Sequence, residues 1–213
     1  MTKQINLLGG TFDPIHIGHI GIARAVAKEC HLNRVDLMPC HLPPHRQSPG
    51  VSAEHRLNMV KLATAPYPEL GVENIELKRT TLSYTAETIR LLRQQHPSAT
   101  LNLIIGMDSL TRFCSWHQWQ TILNHANLIV CRRPGYTVEQ GDAAKLLAQY
   151  RCQSLAQFQQ QQNGSIWLSA NDMIPISATE LRMALQQQQP VQKWLTTDVL
   201  GYIRQHQLYQ GLN

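Results

Sequence analysis

No stretch of this 213-residue chain approaches the run of about 18 apolar residues that crosses a bilayer, and no leader pattern precedes Gly9. A cytoplasmic protein with no membrane partner is therefore expected. Cysteine is scarce: Cys30, Cys40, Cys114, Cys131 and Cys152 form no C-x-x-C pair, and an odd count suits no disulfide framework. Runs of like charge are missing too. Lys and Arg outnumber Asp and Glu by 19 to 14, yet they are scattered, which excludes a basic disordered tail and remains compatible with an anionic substrate. Aromatics make up 6% of the residues and stud no basic stripe of the kind that binds single strands, so no nucleic-acid partner is expected. The common nucleotide fingerprints are also lacking. Gly9, Gly10 and Gly18 fit neither G-x-G-x-x-G nor G-x-x-x-x-G-K-[ST].

What is present is a regular alternation of short apolar runs with helical patterns. Residues 5–8, 35–38, 72–77, 101–105, 127–131 and 165–168 read as strands, several nearly continuous in apolar residues, as strands covered on both faces are. Residues 18–30, 53–65, 83–95, 116–125, 179–187 and 197–207 carry helical spacing. With 43% hydrophobic residues the length suits a single domain over residues 1–213. The expected class is α/β, a doubly wound and mostly parallel sheet, with a C-terminal helical part over about residues 177–213. The Gln-rich segment 139–164 reads as a surface helix or helical pair outside the core. In such sheets ligands bind beyond the carboxyl ends of the strands, so the strand-to-loop junctions are where chemistry is expected.

The first junction reads "GGTFDPIHIGH", Gly9 to His19. A helix beginning there offers backbone N–H groups and a positive dipole end to an anion. His16 and His19, three residues apart, share one face of its first turn. On the residues alone a second reading stands level with this one, in which Asp13 caps the helix, Pro14 occupies its first turn and the histidines are polar surface. Zinc fits less well, because H-x-x-H has no glutamate between its histidines and no third ligand nearby.

In its long form this stretch resembles the T/H-x-G-H signature of the nucleotidyltransferase superfamily, as found in bacterial nicotinate-nucleotide adenylyltransferases. Further motifs follow in that family's order between about Gln4 and Tyr209. "LPPHR", with His45 and Arg46, is similar to P-P-H-K; arginine replaces a point ammonium by a fork and keeps the charge. "SYTAET" resembles S-Y-T-x-x-T, "IIGMDS" contains G-x-D as Gly106 and Asp108, and "CRRPG" contains R-P-G from Arg133. "ISATELR" resembles I-S-S-T-x-I-R, with Ala178 where serine is usual, and its Ser177 and Glu180 also satisfy a capping box.

The resemblance implies a Rossmann-like nucleotidyltransferase fold and transfer of the adenylyl group of ATP to nicotinate mononucleotide, giving deamido-NAD and pyrophosphate. It implies His16 and His19 as the catalytic pair, and Gly9, Gly10, Thr11, Phe12, Gly18, Arg46, Gly106, Asp108, Ser177, Thr179 and Arg182 around ATP. His45, Ser83, Tyr84, Thr85, Trp116 and Arg133 fall to the nicotinate nucleotide, with Trp116 stacking on the pyridine ring and Trp119 left to core packing. Mg²⁺ is implied as an ion that accompanies ATP without a dedicated protein ligand. The expected assembly is a monomer or weak homo-oligomer.

Overall fold

The computed structural model describes residues 3–41, 50–79, 82–132, 135–136, 138, 140–171 and 175–210. Strand β1 (Gln4–Gly10) leads through α1 (Ile17–Glu29) to β2 (Val35–Pro39), and α2 (Ala53–Thr64) leads to β3 (Leu70–Val72). A 3-10 turn (Ile75–Lys78) and α3 (Thr85–Gln95) return the chain to β4 (Thr100–Gly106). Next come α4 (Met107–Leu110), a 3-10 turn (Phe113–Ser115) and α5 (Trp119–His125), then β5 (Asn127–Cys131). Helices α6 (Gly141–Tyr150) and α7 (Leu155–Gln159) precede β6 (Ile166–Leu168), and α8 (Ala178–Gln186) and α9 (Thr197–Gln205) follow it. The sheet order is β3-β2-β1-β4-β5-β6 and every pairing is parallel.

Alternation along the strands divides the apolar residues between two cores. Leu101, Leu103 and Ile105 of β4 pack with Ile89 and Leu92 of α3 and Ile122 of α5 on one face. Ile104, Leu8 and Leu37 pack on the other with Val26 of α1, Met59 of α2, Leu181 of α8 and Val199 of α9. Both faces are covered, which is why these strands read as continuous apolar runs. The C-terminal helices thus share a core with α1 and α2.

One polar line crosses this interior. Asn6, Asn102 and Asn127, all buried, lie side by side on β1, β4 and β5. Asn102 Nδ2 donates to Asn6 Oδ1 at 2.7 Å and Asn127 Nδ2 donates to Asn102 Oδ1 at 3.2 Å. The ends are satisfied by main chain, with Asn6 Nδ2 donating to Arg34 O and Ser165 N–H donating to Asn127 Oδ1. Buried amides are tolerated only with such partners.

Three expectations are corrected. The strand read over residues 72–77 is instead the last residue of β3, a short loop and a 3-10 turn; apolar residues at 72, 75 and 77 fit a threefold turn as well as a strand. The helix read from Trp116 begins at Trp119, because Gln118 takes a left-handed conformation with φ 49° that interrupts the spiral. The Gln-rich segment does form a helical pair, α6 and α7, but it is no mere surface. Leu146 enters one core, Phe158 enters the other, and Gln159 Nε2 donates to Cys30 O at 3.0 Å.

None of the five cysteines is joined in a disulfide. Burial pushes the pKa of Cys30 up to about 12 and raises that of Cys131, so both behave as core residues. Among the described residues no helix is long and apolar enough to cross a membrane. Replacing Asn102 by Ala is expected to strand the Asn6 and Asn127 amides and to destabilise the fold by about 2 kcal/mol. Urea unfolding should show this as a lower midpoint with an unchanged slope.

Candidate active site

The sheet order reverses between β1 and β4, and a cleft of about 1190 Å³ opens beyond their carboxyl ends. This is the switch point where open parallel sheets take ligands, since two chain crossovers diverge there and leave a crevice. Gly9, Gly10, Thr11, Phe12, His16, Gly18 and His19 line it after β1, and Gly106, Asp108 and Trp116 line it after β4. Ser83, Tyr84 and Thr85 form the wall at the start of α3, and Ser177, Thr179 and Arg182 form the wall at the start of α8. Segments spread along the chain from Gly9 to Arg182 are thereby gathered around one space. His45, Arg46 and Arg133 lie outside the described residues.

His16 is the N-cap of α1, in extended conformation, and His19 is its third residue. Their rings stack at 3.7 Å between centroids with planes 25° apart. His19 Nδ1 accepts the His16 backbone N–H at 3.3 Å, so in the neutral ring the proton resides on Nε2, leaving that nitrogen a hydrogen-bond donor. Phe12 meets the His19 ring edge-on at 5.0 Å and fixes its plane.

Asp13 does not cap this helix. Its carboxylate is taken by distant donors: Tyr209 Oη donates to Oδ1 at 2.6 Å and Gly50 N–H donates to Oδ2 at 2.8 Å. The offer of free N–H groups at the start of α1 is also smaller than expected. Ile17 N–H donates to Trp194 O, and the His19 and Ile20 N–H groups donate to His16 O, so Gly18 N–H is the first-turn donor these contacts leave over.

Nor is the space beside the glycines all available to phosphate. A Cβ on Gly10 would lie 2.8 Å from the Phe12 ring, and one on Gly18 would lie 2.9 Å from Ile176 and 3.0 Å from the His16 ring. These glycines let side chains of the site itself close in. Phe12 is buried with φ 50°, a left-handed conformation that costs about 1–2 kcal/mol in an aromatic residue and is held by the burial of its ring.

The α3 wall is built on a buried carboxyl. Glu76 lies in the 3-10 turn and accepts from Thr88 Oγ1 at 2.8 Å and from the Ser83 hydroxyl. Ser83 Oγ in turn accepts the His41 N–H at 2.9 Å. The N-cap of α3 is Tyr84, with no side-chain bond. Burial raises the Glu76 pKa above the ordinary carboxylate range, against the opposing pull of those hydroxyls and of Arg79. Trp116 and Trp119 both contact the Phe113 ring, at 5.3 and 5.9 Å, but Trp116 borders the cleft and Trp119 does not.

At α8 the capping box is present. Ser177 Oγ accepts the Glu180 N–H and Glu180 Oε2 accepts the Ser177 N–H, each at 3.2 Å. Arg182 Nη1 donates to Asp13 O at 2.7 Å and Nη2 donates to Thr179 Oγ1 at 3.4 Å, which joins α8 to the β1–α1 loop.

Sequence reading missed Arg56, Glu76 and Tyr209. Arg56, 1% exposed, donates from Nη1 to Thr11 O and Cys40 O, at 2.8 and 2.7 Å, and from Nη2 to His41 O at 3.1 Å. It occupies an ordinary helical position in α2, and only its burial marks it. Glu76 gave one signal, a charged residue between apolar neighbours Ile75 and Leu77.

An all-parallel sheet with this cleft is the architecture of a nucleotide-handling α/β protein, and the profile of the cytidylyltransferase-like family matches residues 7–184. A relative from Shewanella frigidimarina is 40% identical over 97% of this chain and 100% of its own, and one from Aeromonas hydrophila is 44% identical over 99% of both. Each bears the name "Probable nicotinate-nucleotide adenylyltransferase". The chain belongs to the cytidylyltransferase-like family, in its nicotinate-nucleotide adenylyltransferase branch. The fold is similar to that of Plasmodium falciparum nicotinic acid mononucleotide adenylyltransferase complexed with NaAD, with a TM-score of 0.74 and 18% identity over 97% of each chain.

Because the folded-state pKa of Glu76 is raised, its neutral form is the one favoured by folding, and that contribution is lost as pH climbs from about 4 through the folded value. Glu76→Gln keeps the acceptor for Thr88 and removes the titration. The stability of the native protein relative to this variant should therefore fall with rising pH, read as urea midpoints between about pH 4 and 8. A constant difference would show that Glu76 titrates alike in both states.

Proposed function

We propose that this protein transfers the adenylyl group of ATP to nicotinate mononucleotide, forming nicotinate adenine dinucleotide and pyrophosphate, a step of NAD biosynthesis. The observation that carries the reading is the convergence of the strand-end and helix-start motifs on one cleft at the β1/β4 switch point. Relatives of that name at 40–44% identity along nearly the whole chain support it.

The reaction forms a bond between a phosphate oxygen of nicotinate mononucleotide and the α-phosphorus of ATP. It breaks the bond from that phosphorus to the bridging oxygen, and pyrophosphate leaves with the electron pair. The nucleophile is already an anion, so no strong base is needed, and catalysis rests on alignment and on stabilising negative charge. His19 donates from Nε2 to an oxygen at the α-phosphorus, where charge builds in the transition state. His16, stacked against it, orients the phosphates, and the backbone around Thr11 and Phe12 adds contacts. Arg182, Thr179 and Ser177 hold the β- and γ-phosphates at the start of α8, and Arg46 shares that role. Gly106 and Asp108 border the nucleotides. Trp116 stacks on the pyridine ring, Tyr84 and Thr85 present the start of α3 to its carboxylate, and His45 and Arg133 complete that subsite.

Mg²⁺ belongs to the same proposal. Among the described residues no three His, Cys, Asp or Glu side chains gather closely enough to hold a metal ion. In this reading the ion travels with the triphosphate, where it would neutralise charge on the phosphate oxygens. The reading places the protein in the cytoplasm as a monomer or weak homo-oligomer, with no nucleic-acid or membrane partner.

Pyrophosphate release from ATP with a panel of mononucleotides tests the assignment. Turnover is expected with nicotinate mononucleotide and much less with its nicotinamide counterpart. Salt-sensitive RNA binding without pyrophosphate release would instead point to a nucleic-acid-binding module. His19→Ala should lower kcat by about a hundredfold or more with little change in KM, the mark of a contact made mainly in the transition state. An unchanged rate would remove His19 from the chemistry.

A further inference from the structure

Beyond α9 the chain comes back to Asp13 on the cleft wall through the side chain of Tyr209. Tyr209, four residues past the end of α9, is buried, and its phenol donates to Asp13 Oδ1 at 2.6 Å. Gly50 N–H fills Oδ2 at 2.8 Å. Asp13 is only 5% exposed, and these two donors, together with the Arg182 charge 3.9 Å from Oδ2, make a buried carboxylate tolerable there. The consequence falls on Arg182. Its Nη1 is 3.9 Å from Asp13 Oδ2 but 2.7 Å from the Asp13 main-chain oxygen, so the guanidinium is aimed by the carbonyl and forms no two-bonded pair with the carboxylate. About a third of the Arg182 side chain remains exposed, on the cleft wall.

We propose that Tyr209 is a positioning residue for the polyphosphate subsite: by occupying Asp13 Oδ1 it keeps that carboxylate from claiming Arg182, and so holds the guanidinium available to the phosphates of ATP. The proposal rests on the reading of Arg182 given above. Removing the phenol oxygen leaves Oδ1 buried without its donor, and the Arg182 guanidinium, already 3.9 Å from Oδ2, is a cation at hand to satisfy it. Once paired in that way the guanidinium is turned from the cleft and its charge offset, and an incoming triphosphate has to displace a carboxylate first. The nicotinate subsite, formed by α3 and the residues after β4, has no part in this contact and should not sense it.

Tyr209→Phe keeps the ring and its packing. It is expected to raise KM for ATP about tenfold, the loss of one charge-assisted hydrogen bond, while kcat and KM for nicotinate mononucleotide change less than about twofold. Arg182→Ala should raise KM for ATP at least as much, and Tyr209→Phe should add nothing in the Arg182→Ala background, because both act through one guanidinium. Thermal midpoints of each variant accompany the kinetics; if Tyr209→Phe lowers its midpoint, calorimetric ATP binding well below that temperature gives the same readout. Equal rises in both KM values, or additive effects in the double variant, would mark Tyr209 as a plain packing residue and overturn the proposal. An effect of Arg182→Ala on ATP with none from Tyr209→Phe would overturn it while leaving the phosphate role of Arg182 intact. A silent Arg182→Ala would overturn both.

Discussion

Arg56 is a buried cation whose hydrogen-bond acceptors are main-chain carbonyls, Thr11 O on one loop and Cys40 O and His41 O on the next. A charge with so little exposure persists only because those dipoles replace its water. In doing so it fixes the distance between the loops that follow β1 and β2. The arrangement of the cleft depends on that fixation. Thr11 O held by Arg56 sets the backbone that turns left-handed at Phe12, the Phe12 ring fixes the plane of His19, and His41 N–H continues from the same anchor to Ser83 and Glu76 in the α3 wall. A guanidinium suits this task better than an ammonium, since its planar fork reaches three acceptors in fixed directions.

The site divides into parts held by different means. The histidine pair is held by a helix start and by ring stacking, so its donors are in place before any ligand arrives. The α3 wall is held by a buried carboxyl and a chain of hydroxyls. The α8 wall is held by a capping box and by the contact of Arg182 with the Asp13 carbonyl. Preorganisation of this kind is what a reaction driven by alignment and charge stabilisation requires, because nothing has to reorient as charge develops.

The sequence made the sheet legible where both faces are covered. In β1, β4 and β5 apolar character is continuous and the strands fall close to where spacing puts them. It was ambiguous at the edge, where β3 has three residues and the next apolar positions belong to a turn. The cleft was legible where its residues come in contiguous stretches at strand ends. It was not legible where one residue acts across a great sequence distance. Asp13 has the chemistry and the position of a helix cap, but its partner Tyr209 is 196 residues away, and no local pattern announces that bond. Arg56 and Glu76 were hidden for the same reason: a charged residue in a helix or turn is ordinarily solvated, and burial shows only in three dimensions.

The asparagine line at the far end of the sheet bears on the cleft as well. Apolar side chains are poor rulers: sliding β4 by two residues along β1 would return leucines and isoleucines to the same faces, and packing alone would discriminate weakly against it. Amides tolerate no such slide, since it would break both bonds of Asn102, to Asn6 and to Asn127, and leave that amide facing hydrocarbon. The line therefore acts as a vernier, setting the strands at the bottom so that they end in step at the top. Gly106 closes β4 opposite Cys131 of β5, and Leu8 meets Ile104 directly before the two glycines that end β1. The level rim from which the histidine loop and the Asp108 loop depart is thus calibrated from the opposite edge of the sheet.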